Sequence, residues 1–478
     1  MIKFIVIFVA ALAIAINACV IFYWRDIAYD PSETDLILYL LLLPLLAAVT
    51  ALAPYFIFLG IKRYKLSQEK KQRQAAEAEL MQSEQKLKNS EKNIAAESRQ
   101  FSVKIYSASA VHSFGENASI LEQYMRFKSP ELDPNLFNAY GLPVLSFRIK
   151  DLDEAVQSAE DDEPSNISMR EQRIAQLLNQ QIEQHTETLM MVSNHLKDSA
   201  MFYNSEMAYQ YRMHPAWISE IDVSEHTDEK TENILEPVCR LDKITVHILL
   251  AENLIHHWSE SFSEKLQNQL AGPYSILHAQ IEIEHHFMSQ QTSYAAWLKL
   301  LDQIAEQKHA FNLIINADSE IDQDWIDEKF WQTEAYIAAE YASSWCISSL
   351  DTEVLQLIPQ KILKIALNET DLDAFLAKNQ LIEHAQFKQD TPFVLILDDP
   401  ADIKTIKKLQ HNLIDSAVES HHLLYTKTNL GHTQQLAKIF SFMLGMHFPD
   451  EGIGMVYSVD QDSVYSYFQG YLEDNLHQ

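Results

Sequence analysis

The most specific group of chemically capable residues in this chain lies between positions 427 and 433. The sequence there reads Lys-Thr-Asn-Leu-Gly-His-Thr, after an apolar stretch and before a segment with helical spacing. This order predicts a strand, a tight turn at Gly431, and a helix that Thr433 caps. An imidazole held at such a turn can act as an acid or a base. Lys427 and His432 are therefore the first candidates for a functional site.

His432 also has a purely structural interpretation. Its ring can hydrogen-bond the turn and pack against the start of the helix without taking part in a reaction. Both interpretations stay open from the sequence, and the structural role is favoured because no nucleophile is evident nearby.

The chain has three cysteines, Cys19, Cys239 and Cys346, and their spacing is not that of a metal site. Cys19 lies inside an apolar stretch, so a disulfide framework is not indicated and a reducing compartment fits. Cys346 has serine neighbours that superficially resemble a nucleophile turn. We interpret Cys346 as a buried structural thiol, with a displaced nucleophile as the alternative.

Three pairs of adjacent histidines raise the question of a metal centre. Two of them lie in Glu-x-x-His spacing, as in carboxylate-bridged di-iron bundles. Such a centre needs four inward-facing helices, whereas the last pair precedes a predicted strand. We therefore expect core or surface histidines, no metal site and no cofactor. The pairs are His256–His257, His285–His286 and His421–His422.

Short apolar runs alternate with helical patterns over residues 101–478, which predicts an α/β body with largely buried sheets. The acidic stretch 151–163 reads as an exposed loop. The predicted strands are 102–114, 143–149, 244–250, 311–315 and 393–397, and the predicted helices are 117–127, 170–196, 294–307, 327–342, 403–418 and 433–446.

Residues 1–65 predict a two-span transmembrane hairpin. Residues 4–22 are apolar except for Asn17, and residues 36–60 carry no charge. Each segment is long enough to cross a hydrocarbon core of about 30 Å as a helix. Basic residues follow the second span, so we expect a bacterial inner-membrane protein with both termini and the main body in the cytoplasm. The alternative for the first span is a cleaved signal peptide.

Residues 66–100 predict a helical stalk, because the segment contains neither glycine nor proline. Seven-residue spacing favours a weak coiled coil that pairs two protomers, while a single solvated helix explains the polar composition equally well. The positions in this spacing are Leu66, Arg73, Leu80, Leu87, Ile94 and Phe101.

The 478 residues include 37 basic and 67 acidic side chains, which gives a formal charge of −30. A body so rich in carboxylates repels phosphate backbones, so we do not expect a nucleic-acid partner. The charge suits protein partners with basic faces, or simply keeps the protein soluble.

The motif at 427–433 resembles the K-x-N-x-G-H-T motif of β-ketoacyl synthases, the condensing enzymes of the thiolase-like fold. Segments 104–115 and 170–178 are similar to that family's opening strand and an early helix. Residues 398–402 resemble its G-D-P-x-E segment, and residues 289–317 look like the nucleophile turn with its helix and next strand. The resemblance implies a thiolase-like, layered αβαβα body in which lysine and histidine serve decarboxylation and condensation at a cysteine.

The chain departs from this family where its chemistry takes place. Residues 290–293 are Gln, Gln, Thr and Ser, so Gln291 stands where the resemblance implies a cysteine. Glutamine cannot form the acyl thioester. Residues 395–397 are Leu, Ile and Leu where the family has its first histidine, and 458–464 lack a glycine-rich loop. Only nine glycines occur in the chain. This number is low for the resembled fold, whose active-site turns need close backbone approach and positive φ angles.

We therefore predict a non-catalytic, ketosynthase-like scaffold or regulatory subunit of an inner-membrane assembly, with an envelope secretion machine as one such assembly. The family implies a homodimer. The alternative is a membrane-tethered condensing-type enzyme, or its inactive partner subunit, in acyl-chain metabolism.

Overall fold

The structure is a computed structural model that describes residues 2–27, 32, 38–44, 46, 98–162, 168–213, 238–256, 258, 260–289, 291–330, 336–369, 371–414, 416–426, 430–431 and 436–471. The chain divides into two compact units, Met1–Ala96 and Glu97–Gln478.

The first unit contains helix α1, Ile2–Ile27, and a π-helical turn at Leu38–Leu42. In the portion of the chain that the structure describes, no helix combines the length and the apolarity that a membrane span requires. Most of the second predicted span, and residues 66–97 of the predicted stalk, lie outside the described residues.

The second unit is built from thirteen described strands with helices between them. The strands are β1 Arg99–His112, β2 Gly115–Glu116, β3 Glu131–Phe137, β4 Pro143–Phe147, β5 Lys243–Ala251, β6 Ile281–Met288, β7 Ala310–Ser319, β8 Ala338–Ser349, β9 Lys361–Leu367, β10 Val394–Ile396, β11 Leu423–Tyr425, β12 Ile453–Tyr457 and β13 Tyr465–Gly470.

The α-helices of this unit form after or between these strands. They are α2 Ala118–Met125, α3 Asp151–Asp162, α4 Met169–Glu183, α5 Thr186–Tyr203, α6 Ser205–Met213, α7 Glu260–Ala271, α8 Ser293–Glu306, α9 Gln323–Phe330, α10 Leu372–Lys378, α11 Ile403–Leu413 and α12 Ala437–Leu444.

The main sheet is an internal duplication. Its strands lie in the order β11-β10-β12-β13-β9-β1-β8-β7-β5-β6. If the five strands of each half are numbered in chain order, both halves have the order 3-2-4-5-1 from the edge of the sheet to its centre. These strands are β6, β5, β7, β8 and β1 in the first half, and β11, β10, β12, β13 and β9 in the second. In both halves the first three of these are parallel and the last two run antiparallel to their neighbours. The halves meet where β1 pairs with β9.

Helices α8 and α12 lie between the two halves of this sheet. Trp297 of α8 and Phe442 of α12 share one apolar core with β8 of the first half and Phe468 of the second. Separate cores cover the outer faces, one beneath α4, α5 and α7 and another beneath α10 and α11. This arrangement confirms a mixed α/β body with the five layers, αβαβα, that the family resemblance implies.

Three predicted elements are wrong. Residues 151–162 form helix α3 and not a loop, because Leu152 and Val156 are buried and acidic side chains occupy its first turn. The helix predicted over 170–196 is two helices, α4 and α5. It breaks at His185, whose two ring nitrogens lie 2.7 Å from the hydroxyls of Ser107 and Ser344.

The third error concerns residues 327–342, which were expected to be helical. Helix α9 ends at Phe330, and the completely buried strand β8 begins at Ala338. Alanine and glutamate favour a helix in isolation, but pairing with β1 on one side and β7 on the other overrides that preference.

A fully buried ion pair fixes α4 to β8. The Arg173 guanidinium donates to both carboxylate oxygens of Glu340, at 2.8 and 2.7 Å. Glu340 also accepts the backbone N–H of Ile149 at 2.5 Å and the hydroxyl of Ser319 at 3.0 Å. Because every carboxylate oxygen has two donors, the desolvation of the pair is compensated by hydrogen bonds.

We expect Glu340→Gln to lower the free energy of unfolding by up to about 3–5 kcal/mol, because the buried charge of Arg173 loses its bidentate partner and keeps only the partly exposed carboxylate of Asp153. Urea unfolding followed by tryptophan fluorescence measures the change. The control is Glu131→Gln, which removes an exposed ion pair with Lys150 and should leave unfolding unchanged. Equal effects of the two substitutions would contradict this role of Glu340.

Candidate functional site

Four chain segments converge at the N-terminal ends of α8 and α12. Strand β10 ends next to Asp398, and α12 carries Lys438 in its first turn. Ser458 follows the end of β12, and Tyr294 lies in the first turn of α8. In parallel α/β sheets, the carboxyl ends of strands and the starts of helices form the usual place for a ligand. We define these four residues as the helix-end cluster.

An ion pair occupies the centre of the helix-end cluster. The Lys438 ammonium lies 2.7 Å from the Asp398 carboxylate and also donates to Asp460. Asp398 accepts the backbone N–H of Val459 at 2.5 Å and the Ser458 hydroxyl at 3.3 Å. Burial opposes the charge on Lys438, but the two carboxylates together raise its pKa above the ordinary value. Lys438 is therefore held protonated and is not a base or nucleophile.

The Tyr294 phenol is the least satisfied polar group of the cluster. It is completely buried, and its hydroxyl has no hydrogen-bond partner among the described residues. Burial raises its pKa, and the negative charge of Asp398 raises it further. Tyr294 can therefore donate a proton in a hydrogen bond but does not ionise near neutral pH.

The structure places only one of the three predicted site residues. Gln291 is exposed, in the turn between β6 and α8. Lys427 and His432 lie outside the described residues. Next to this turn, the Ser289 hydroxyl lies 2.7 Å from that of Thr292. The two hydroxyls bond each other, and no described base activates either of them.

Gly431 adopts the left-handed backbone conformation that a tight turn at this position needs. Gly431 has a φ of +95°, and an added Cβ atom would lie 2.1 Å from the Cβ of Ala339 on β8. Only glycine permits this combination of backbone angle and close approach. The glycine of the motif at 427–433 thus packs directly against strand β8.

His112, at the end of β1, holds the residue before this glycine. Its Nε2 lies 3.2 Å from the carbonyl oxygen of Leu430, and its Nδ1 accepts the backbone N–H of Phe114 at 3.3 Å. The carbonyl can only accept, so Nε2 carries the proton and the ring is neutral. Burial lowers the pKa of His112 to about 4. This role of His112 could not be predicted from local sequence, because Leu430 lies 318 positions away.

Cys346 is not a displaced nucleophile at this site. It lies inside β8, is fully buried, and packs in the core beneath α4 and α5 rather than in the core around α8. Burial raises the pKa of its thiol to about 12. A thiol of that acidity supplies almost no thiolate at neutral pH. The expectation of a buried thiol is confirmed.

Leu395 and Leu397 belong to the apolar core around α8 and α12, at the position where the resemblance implies a histidine. Their side chains pack and offer no proton. Together with the paired Lys438, they leave the described part of the helix-end cluster without an activated nucleophile or a general base.

A cleft of about 500 Å³ opens on the other side of His112. The β3–β4 hairpin forms one wall, where Arg148 makes a bidentate ion pair with Asp133 at 2.8 and 2.9 Å. Phe147 of β4 contacts the His112 ring, with the two ring centres 5.3 Å apart. The lining of the cleft is mixed, because apolar side chains such as Phe114 and Phe147 lie beside these paired charges.

No protein family profile matches the chain, and no curated protein is similar to it. Solved structures with detectable likeness include a ketosynthase from module 6 of the bacillaene synthase of Bacillus subtilis 168. It is 9% identical with a TM-score of 0.43 over 78% of this chain and 72% of that chain.

Two other solved structures are similar at the same level. The oxazolomycin ketosynthase domain OzmH KS8 from Streptomyces albus JA3453 is 11% identical, with a TM-score of 0.32 over 78% of this chain and 96% of that chain. The ishigamide ketosynthase/chain length factor is 10% identical, with a TM-score of 0.36 over 77% of this chain and 98% of that chain. Because the sequence identities and TM-scores are this low, the similarities assign no role to any residue of the site.

We expect His112→Gln to make stability less dependent on pH between about 6.5 and 4. The folded ring stays neutral down to a pKa of about 4, whereas the unfolded ring takes up a proton near its ordinary value. Stability is therefore lost as the pH falls through this window, by up to about 1.4 kcal/mol per pH unit for one histidine.

Urea unfolding at several pH values measures this slope, since glutamine keeps a donor for Leu430 but does not titrate. The control is His278→Gln, at an exposed position, which should keep the wild-type slope. A His112→Gln protein with an unchanged slope would show that this histidine is not buried as a neutral ring.

Proposed function

We propose that this protein is a membrane-anchored, non-catalytic scaffold or regulatory subunit with a ketosynthase-like body, acting in an inner-membrane assembly such as an envelope secretion machine. The observation that carries the proposal is the ion pair of Lys438 with Asp398 at the helix ends. It fills the place where strand ends and helix starts converge, and among the described residues it leaves no free base there.

The turn before α8 supports the same proposal. Gln291 stands at the position of the family's nucleophile, and its amide cannot accept an acyl group. The chain has only three cysteines, and the one inside the body's sheet is buried with a raised pKa. Cys239 is exposed, and burial and the neighbouring Glu353 raise the pKa of its thiol as well. At the turn before α8, an acyl acceptor would have to be a serine or threonine, which replaces a thiolate poorly in this chemistry.

Anchoring and assembly rest on the sequence. Residues 4–22 and 36–60 are the apolar segments that would enter the membrane, and the basic residues after position 61 would keep the body in the cytoplasm. A homodimer, as the resemblance implies, would join two bodies. The formal charge of −30 favours partner proteins with basic faces.

The test is to incubate the purified full chain with acyl- and malonyl-thioesters. We expect no covalent mass increase by mass spectrometry and no carbon dioxide release above buffer, because no described group is poised to accept or decarboxylate the substrates. His432→Ala should behave like the wild type. Acylation of the chain, or decarboxylation that disappears in His432→Ala, would overturn the scaffold proposal.

Gln291 also favours a second candidate function. Glutamine replaces the cysteine in some non-condensing relatives of the resembled family, so this chain could be the inactive partner subunit of a condensing enzyme. In that case the chain alone decarboxylates a malonyl-thioester without being acylated. Gln291→Ala would then lower decarboxylation, while Gln389→Ala, a control at an exposed glutamine, would not.

We expect the full chain to stay with bacterial membranes after an alkaline carbonate wash. Leu12→Arg should release a larger fraction, because an arginine at the centre of a span costs about 2.5–3.5 kcal/mol of insertion free energy. Leu350→Arg, an exposed position of the body, is the control and should remain bound. Wild-type protein in the soluble fraction would exclude the anchor.

A further inference from the structure

Three potential metal ligands meet on one face of the sheet, at its edge. His247 on β5 and Glu284 on β6 are direct partners in the parallel register, and His286 follows Glu284 by two residues on the same face. Strand β6 is the last strand at that end of the sheet. None of these residues belongs to the helix-end cluster.

The spacing of the ligand atoms suits a metal ion. The Nδ1 atom of His247 lies 3.1 Å from Nε2 of His286 and 3.2 Å from the carboxylate oxygen Oε2 of Glu284. That same oxygen lies 3.5 Å from Nε2 of His286. The centre of this triangle is about 1.9 Å from each atom, so an ion with bonds of about 2.0–2.1 Å fits just outside its plane.

The inner histidine is held in the tautomer that binds a metal. Nε2 of His247 lies 3.0 Å from the side-chain oxygen of Asn312, whose amide nitrogen donates to Gln307 at 3.0 Å. Because the Asn312 oxygen can only accept, Nε2 carries the proton and Nδ1 has a free lone pair. Metal-bound histidines are oriented in the same way by a second hydrogen bond.

The site is buried on one side and open on the other. The His247 side chain is 2% exposed, while those of His286 and Glu284 are 27% and 44% exposed. An ion can therefore enter from solvent and still be held by a rigid residue. Three protein ligands leave a fourth position free for water or for another group.

We propose that His247, Glu284 and His286 form a site for a divalent ion of the zinc class. Two imidazoles with one carboxylate favour borderline ions such as Zn²⁺ over Mg²⁺ or Ca²⁺, which prefer oxygen ligands. The ion joins edge strand β6 to its neighbour β5 through side chains, in addition to the backbone ladder.

The sequence suggested a different combination. Glu282 and His285 have the spacing of a helical metal motif, but they lie in a strand, where residues three apart point to opposite faces. The His285 ring instead faces α7, where its Nε2 lies 3.4 Å from the hydroxyl of Ser263. The ligand from β5 could not be found from sequence spacing, because only strand pairing brings it to β6.

The test measures Zn²⁺ binding to the purified full chain by competition with a chromophoric chelator. We expect one ion per chain. Glu284→Gln and His286→Ala should weaken binding at least about tenfold, since each removes a direct ligand. Both positions are partly exposed, so the variants should fold, and circular dichroism confirms this.

His285→Ala is the matched control, because it removes a neighbouring imidazole from the same strand on the opposite face. It should bind Zn²⁺ like the wild type. Co²⁺ provides an independent reading, since its visible absorption should indicate a nitrogen and oxygen ligand set that is lost in His286→Ala. Absence of binding to the wild type, or an equal loss in His285→Ala, would overturn the proposal.

Discussion

The Arg173–Glu340 ion pair is the constraint on which the positions of the other elements depend. It lies where α4 packs on β8, and both side chains are almost completely excluded from solvent. Two charges cannot be buried in this way unless all their hydrogen bonds are made. Helix α4, strand β8 and the backbone of Ile149 are therefore fixed together, since a small displacement of any of them leaves a buried charge incompletely paired.

This constraint reaches the histidine motif through one residue. Ala339 precedes Glu340 in β8, so the two side chains point to opposite faces of the sheet. Ala339 is the residue against which the backbone of Gly431 lies, with no room for a side chain. On the same side, His112 of the neighbouring strand β1 bonds the carbonyl of Leu430. The strand that carries these buried charges on one face thus also positions Leu430 and Gly431 on the other.

The sequence predicted elements whose pattern is local and missed features that depend on contact between distant segments. Helix α8 and strand β5 appear within one residue of their predicted bounds, because their apolar spacing is strong. Strand β7 begins one residue before its predicted start and continues four residues beyond its predicted end. Gly431 was identified because tight turns need glycine. The local pattern predicts a helix at the start of strand β8, and it does not predict the duplication of the sheet, because local spacing does not determine the order of the strands.

The same distinction between local pattern and distant contact applies to the candidate site residues. Gln291 and the missing cysteine could be read directly from the chain, whereas the pairing of Lys438 with Asp398 joins residues 40 positions apart. A lysine in the first turn of a helix is disfavoured by the helix dipole, and that position alone gives no reason for a cation. The reason becomes visible only when β10 and the chain after β12 place two carboxylates beside it.

The duplication also indicates why the two halves of the body differ in chemistry. Equivalent strands and central helices create equivalent positions, but the side chains there are not the same. The start of α8 has the neutral hydroxyls of Ser289 and Thr292, whereas the start of α12 has a charged lysine. A reaction shared across the two helix ends would need complementary groups on both. Because Asp398 and Asp460 neutralise the charge of Lys438 within its own half, the described residues at the two helix ends form two separate hydrogen-bonded groups.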